Sequence, residues 1–213
     1  ALALGVLAER AGFPSGAVNI LTGDPAGVGG ALTGSPAVRK LSFTGSTRVG
    51  KLLMEQCAGT MKRLSLELGG NAPFIIFDDA DLDLAVEGVM ASKFRNGGQT
   101  CVCANRIFVQ AGVYDAFAEK LAAVVGNMKL GDGFADGVEI GPMINEAAVF
   151  KIKSHLDDAT AKGGTVIVGG TQEDPSTRFI SPAVVTGVTS DMLVADEETF
   201  GPVAPLFKFE TEG

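Results

Sequence analysis

Cys101 stands in Gly98-Gln99-Thr100-Cys101-Val102, a small, polar segment between two apolar stretches. Glu67 lies upstream in Leu66-Glu67-Leu68-Gly69-Gly70. A thiol nucleophile and a carboxylate base are the minimum equipment for covalent chemistry on a carbonyl. Gly97 and Gly98 let the backbone approach a reacting group closely, and a main-chain N–H here can meet a developing oxyanion. Residue type and spacing leave three roles open for Cys101: nucleophile, core filler or redox switch. Cys103 would face the same way as Cys101 on an extended segment, which makes it a candidate redox partner through a strained disulfide. Cys57, among Glu55, Gln56 and Gly59, reads as structural.

Such side chains need rigid elements behind them, and the pattern alternates helix with strand. Residues 1–11 read as a helix with Leu4, Leu7, Ala8 and Ala11 on one face and no cap before it. Strands are expected at 17–21 and 38–43, flanking a glycine-rich stretch at 23–34 that reads as turns. A helix should start at Ser46, with Val49, Leu52, Leu53 and Gln56 on one face. Strands at 63–68 and 73–77 follow, divided at Gly69-Gly70, which is the expected domain boundary. Beyond it the reading is a helix at 81–94, a loop through Cys101, a strand at 106–110 and a helix at 114–125. Phe117, Leu121 and Val125 give that last helix a core-facing stripe. A helix at 146–162 and strands at 165–168, 180–186 and 203–209 complete an α/β fold with a mainly parallel sheet. Glu67 then falls at a strand end, where α/β proteins place site residues.

Composition narrows the function classes. A net charge of −8 argues against nucleic-acid binding, which needs a clustered basic face. No apolar run approaches the roughly 20 residues of a membrane span, and no secretory signal is visible. Three cysteines and one histidine form neither a disulfide framework nor a zinc set, and fit a reducing compartment such as the cytosol or the mitochondrial matrix.

Several motifs are weaker than they look. Gly45 to Lys51 matches the phosphate-loop pattern G-x-x-x-x-G-K, but Leu52 lacks the hydroxyl that would hold Mg²⁺. A milder reading keeps Ser46 as a helix cap whose free N–H groups can hold a phosphate. The stretch 23–34 lacks the usual dinucleotide fingerprint, because Leu32 stands where the third glycine should be. The acidic run Asp78, Asp79, Asp81 and Asp83 is explained by a helix dipole, without a metal. His155, beside Ile152 and Leu156, reads as a partly buried histidine without an acid–base partner in sequence.

Four motifs taken in order go further. Phe43-Thr44-Gly45-Ser46-Thr47, Leu66-Glu67-Leu68-Gly69-Gly70-Asn71, Gly98-Gln99-Thr100-Cys101 and Glu198-Thr199-Phe200-Gly201-Pro202 resemble those of the aldehyde dehydrogenase superfamily across essentially the whole chain. Lys93-Phe94-Arg95-Asn96 running into Gln99-Thr100-Cys101-Val102-Cys103-Ala104-Asn105 looks like its succinate-semialdehyde branch. The resemblance implies a partial Rossmann-type cofactor domain over residues 1–69 and the first part of an α/β catalytic domain over 70–213.

It further implies oxidation of an aldehyde with NAD or NADP. Cys101 would attack the aldehyde, and Glu67 would activate the water that hydrolyses the thioester. Gly45 and Ser46 would meet the cofactor pyrophosphate. Leu68 and Gly69 would line the nicotinamide position, Glu198 would bind the nicotinamide ribose, and Phe200 would lie against the ring. Arg95 matches an arginine that grips the far carboxylate of a substrate in two parallel hydrogen bonds. Complete members are more than twice this length and are expected to be homo-oligomers. The chain thus reads as a fragment without the family's upstream oxyanion asparagine and adenosine-ribose lysine.

Overall fold

The computed structural model of the protein describes residues 1–212. The chain divides into two compact units, Ala1–Leu68 and a second that begins at Gly69. In the first, helices α1 (Leu2–Arg10) and α2 (Pro25–Gly34) precede strand β1 (Lys40–Thr44), helix α3 (Thr47–Ala58) and strand β2 (Arg63–Glu67). The strands pair in parallel, Lys40 opposite Arg63 and Thr44 opposite Glu67. Parallel neighbours need a crossover, which α3 provides with Leu53 and Cys57 buried. Gly50 must stay small, since a Cβ there would lie 2.6 Å from a Leu68 methyl.

Two expectations for this unit are corrected. The glycine-rich stretch is helix α2, not a series of turns. Asp24 caps it by accepting the Gly27 N–H at 2.6 Å, Pro25 begins it, and Thr33 bonds Gln56 of α3 at 3.2 Å. Cap, proline and packing together offset the roughly 1 kcal/mol that each helical glycine costs against alanine. Residues 17–21 form no strand, because no described segment pairs with them and a strand exists only within a ladder.

The second unit is built on β3 (Ala72–Ile76), α4 (Leu82–Val89), β4 (Ala104–Gln110), α5 (Tyr114–Gly126), α6 (Glu146–Ala161), β5 (Thr165–Val168), β6 (Ala183–Val188), α7 (Leu193–Asp196) and β7 (Val203–Phe209). Its sheet runs β3-β4-β7-β6-β5, parallel except for the β5–β6 pair. Alternation along β7 sends Ala204 and Leu206 to one face, with Phe117 and Leu121 of α5. Val203 and Phe207 go to the other, with Ile152 and Leu156 of α6. Each large side chain buried this way stabilises the fold by about 1.5–3 kcal/mol.

Strand β6 starts three residues later than the sequence suggests. Pro182 has no N–H to give a ladder, and the Ser181 N–H bonds the Thr171 carbonyl at 2.9 Å instead. The helix expected at 81–94 is also shorter. Asp81 caps α4 through the Asp83 and Leu84 N–H groups, so part of the acidic run serves the helix end. After Val89 the backbone widens into a π-helical turn, Met90–Phe94, and then tightens into a 3₁₀ turn, Arg95–Gly98. Such switches within one helix often mark functional segments. Among the described residues no helix is long and apolar enough to cross a membrane.

Candidate active site

The π-helical turn buries Lys93 and Phe94 and leaves Arg95 exposed at the start of the Cys101 loop. Asn96, Gly97 and Gly98 all take left-handed backbone, with φ of 54°, 62° and 70°. For Gly98 the space is decisive too, because a Cβ would collide with the Gly201 carbonyl. Gln99 pins the loop on the other side, its Oε1 accepting the Ile144 N–H at 2.9 Å. The Cys101 thiol is exposed on this braced loop.

The expectation that Cys103 shares a face with Cys101 is corrected. The Cys103 N–H bonds the Thr100 carbonyl at 3.1 Å, closing a turn where an extended segment was expected. The turn leaves Cys101 exposed and Cys103 buried, its Sγ 3.7 Å from the Lys93 carbonyl. Both thiols are free.

Glu198 follows α7 and is half-buried. Its Oε1 accepts the Gly70 N–H at 3.2 Å, and a Cβ on Gly69 would collide with its Oε2. A Cβ on Gly70 would lie 2.7 Å from the Cys101 carbonyl oxygen. Glycine at 70 and 98 therefore lets three segments meet backbone to backbone: the start of the unit, the Cys101 loop and the loop 198–201. Lys151 of α6 donates to the Glu198 carbonyl at 2.5 Å. Phe200 is held at φ 53°, unusual for an aromatic residue and the kind of local strain found at ligand clamps.

In the first unit Gly45 and Ser46 join β1 to α3. Ser46 Oγ takes the Val49 N–H at 3.4 Å, leaving the Thr47 and Arg48 N–H groups of the first helical turn without a partner inside the helix. A Cβ on Gly45 would strike the Phe43 ring. Glu67 is exposed at the end of β2, its carbonyl accepting the Gly45 N–H at 3.0 Å. Leu68 follows it, against Gly50 of α3.

Sequence reasoning missed the polar side chains behind these loops. His155 is 1 % exposed, not partly buried. Its Nδ1 lies 3.1 Å from Thr199 Oγ1, and its Nε2 lies 3.5 Å from the Glu197 carboxylate without a hydrogen bond. Its partners are more than 40 positions away, and no local spacing could reveal them. Burial, helped by the Lys151 charge, lowers its pKa below the ordinary 6.5. A histidine kept neutral by the fold contributes stability that is complete above about pH 6.5 and lost as pH falls through the lowered native value. Urea unfolding of the full-length protein is thus expected to show wild type losing more stability than His155→Gln between pH 7 and pH 5. Parallel losses in the two proteins would contradict this role.

The aldehyde dehydrogenase family model matches residues 1–213. The chain belongs to the aldehyde dehydrogenase family. It is 61 % identical over 212 residues to 3-sulfolactaldehyde dehydrogenase of Pseudomonas putida. It is 58 % identical to the NADP(+) succinate-semialdehyde dehydrogenase of Escherichia coli and to a glutarate-semialdehyde dehydrogenase of Pseudomonas putida. Each match covers 100 % of this chain and 44 % of the relative. The crystal structure of succinate-semialdehyde dehydrogenase from Burkholderia pseudomallei superposes with a TM-score of 0.96 at 60 % identity, covering 99 % of this chain and 44 % of that one. The chain therefore spans a little under half the length of the family members it matches. The family's α/β architecture is the one described above.

Proposed function

We propose that the full-length protein oxidises succinate semialdehyde to succinate with NAD(P)⁺, using Cys101 as nucleophile. The observation that carries this reading is the exposed Cys101 thiol on a loop fixed by left-handed glycines and by the backbone contacts of Gly70 and Gly98. A thiolate on such a loop adds to the aldehyde carbon, and the carbonyl oxygen becomes the alkoxide of a thiohemiacetal. Loss of hydride from that carbon leaves a Cys101 thioester, and Glu67 takes a proton from the water that attacks it, releasing the acid and the free thiol.

The residues present fit a dinucleotide. The uncapped N–H groups at the start of α3, beyond Gly45 and Ser46, suit a pyrophosphate. Glu198 uses one carboxylate oxygen on Gly70 and keeps the other to accept from a ribose hydroxyl. Leu68, Gly69 and Phe200 would border the nicotinamide. When bound, the nicotinamide supplies the acceptor for the hydride lost in oxidation. The whole protein is expected to work in a reducing compartment as a homo-oligomer.

Arg95 carries the substrate assignment. It is exposed on the same loop and takes part in none of the ion pairs among the described residues. The three relatives are named for aldehydes whose far end bears a carboxylate or a sulfonate. A guanidinium recognises either oxyanion through paired hydrogen bonds. Glutarate semialdehyde, one methylene longer, is the second reading, supported by the equal identity of its namesake. Arg95→Ala in the full-length enzyme is expected to lower kcat/KM for succinate semialdehyde by about 10–100-fold. An uncharged aldehyde of similar length should lose far less. Equal losses for the two would sink the assignment.

A further inference from the structure

Lys93 is wholly buried, at 0 % exposure. A lysine stem can pack in a core, but its ammonium is almost never buried without a reason. Its head donates to Asn105 Oδ1 at 2.8 Å. Asn105, itself 2 % exposed, donates from Nδ2 to the Gly70 carbonyl at 3.1 Å. The Gly70 N–H donates in turn to Glu198 Oε1 at 3.2 Å. Four residues from four separate segments thus form one directed chain, from a buried ammonium to the Glu198 carboxylate.

We propose that Lys93 is a positioning residue for Glu198, acting through Asn105 and the backbone of Gly70 to hold that carboxylate ready for a ribose diol. The inference rests on the reading of Glu198 as a ribose ligand given above. The orientation of each bond supports it. Lys93 can only donate, which fixes the Asn105 amide with its oxygen toward Lys93 and its nitrogen toward Gly70. The Gly70 carbonyl is thereby engaged on one side of its Cα, while the Gly70 N–H on the other side bonds Glu198, so both backbone polar groups of this glycine are held. Polar chains of this kind strengthen one another in a low-dielectric interior.

Charge adds to geometry. Burial pushes the Lys93 ammonium down to about 8, while Cys103 and Glu198 pull the other way. The Glu198 carboxylate therefore favours the charged form of Lys93. The same lysine accepts the Cys103 thiol on its carbonyl, and Gly70 abuts the Cys101 carbonyl. A shift of Lys93 would accordingly be felt at the base of both loops.

A double-mutant cycle on the full-length protein tests this, read as the dissociation constants of NAD⁺ and NADP⁺ by titration calorimetry in the absence of substrate. Lys93→Met and Glu198→Gln are each expected to weaken binding of the preferred cofactor about tenfold. The double variant should be no weaker than Glu198→Gln alone, because Lys93 acts through that carboxylate. Asn105→Asp provides a second route should Lys93→Met fail to fold. It keeps an acceptor for the ammonium but cannot donate to Gly70, and it should weaken binding like Lys93→Met. Multiplicative losses in the double variant, or normal binding by both Lys93→Met and Asn105→Asp, would overturn the proposal alone. Normal binding by Glu198→Gln would overturn the ribose reading and this proposal together.

Discussion

Replacing Cys101 with alanine in the full-length enzyme is expected to cut aldehyde oxidation by at least about 10³-fold, the scale seen when a covalent nucleophile is removed. Hydrolysis of a p-nitrophenyl ester should fall with it, since thiol acylation needs no hydride acceptor. The fold should survive, because the Cys101 side chain is exposed and its loop is held by Gly98, Gln99 and Gly70. Cys103→Ala is the informative contrast. That thiol is wholly buried beneath Lys93, so its loss should lower stability while leaving the ester burst in place. A burst that survives Cys101→Ala would remove the nucleophile from this account.

Glu67→Gln is expected to separate the two halves of the reaction. Acylation of Cys101 should proceed, while release of the acid slows by about 10²–10⁴-fold, the usual contribution of a positioned base. Rapid mixing with a p-nitrophenyl ester would then show one equivalent of p-nitrophenol followed by a nearly flat line. Glutamine keeps the size and much of the hydrogen bonding of glutamate, so the end of β2 should be undisturbed. An unchanged steady rate would assign the water-activating role to another group. A missing first equivalent would move Glu67 to the acylation step.

The elements that hold these residues differ in how much the sequence discloses about them. Strands β1 and β2 and helix α3 are legible because alternation and the 3.6-residue face are local signals. Helix α5 announces itself through Phe117, Leu121 and Val125 in the same way. Helix α2 is hidden by its glycines, and only Asp24-Pro25 hints at its start. Residues 17–21 have strand-like composition but no partner among the described segments, and composition cannot supply one. The π-helical turn after Val89 keeps an apolar helical pattern, so nothing in residue type marks the change of winding that buries Lys93 and exposes Arg95.

The candidate site divides along the same line. Cys101 and Glu67 stand out through their neighbours, whereas Gly45, Ser46, Leu68, Gly69, Glu198, Phe200 and Arg95 take on meaning only through the family's motifs. The turn closed by Thr100 and Cys103 reverses the expected relation of the two thiols, because one hydrogen bond between neighbouring residues outweighs a two-residue period. Lys93, Asn105, His155 and Thr199 escape notice for a different reason. Their bonds run between segments, from π turn to strand, from strand to Gly70 and from α6 to the loop after α7. Such pairings are properties of the folded chain and of no local stretch of it.

Mass spectrometry of the acyl-enzyme tests the central claim most directly. The full-length Glu67→Gln variant would be mixed with one equivalent each of succinate semialdehyde and the preferred cofactor, quenched in acid and digested. A succinyl group is expected on the peptide containing Cys101, located at that thiol, with no such adduct in a Cys101→Ala background. Succinate formed with Cys101 unmodified throughout, or a succinyl group carried by any other residue, would contradict that claim.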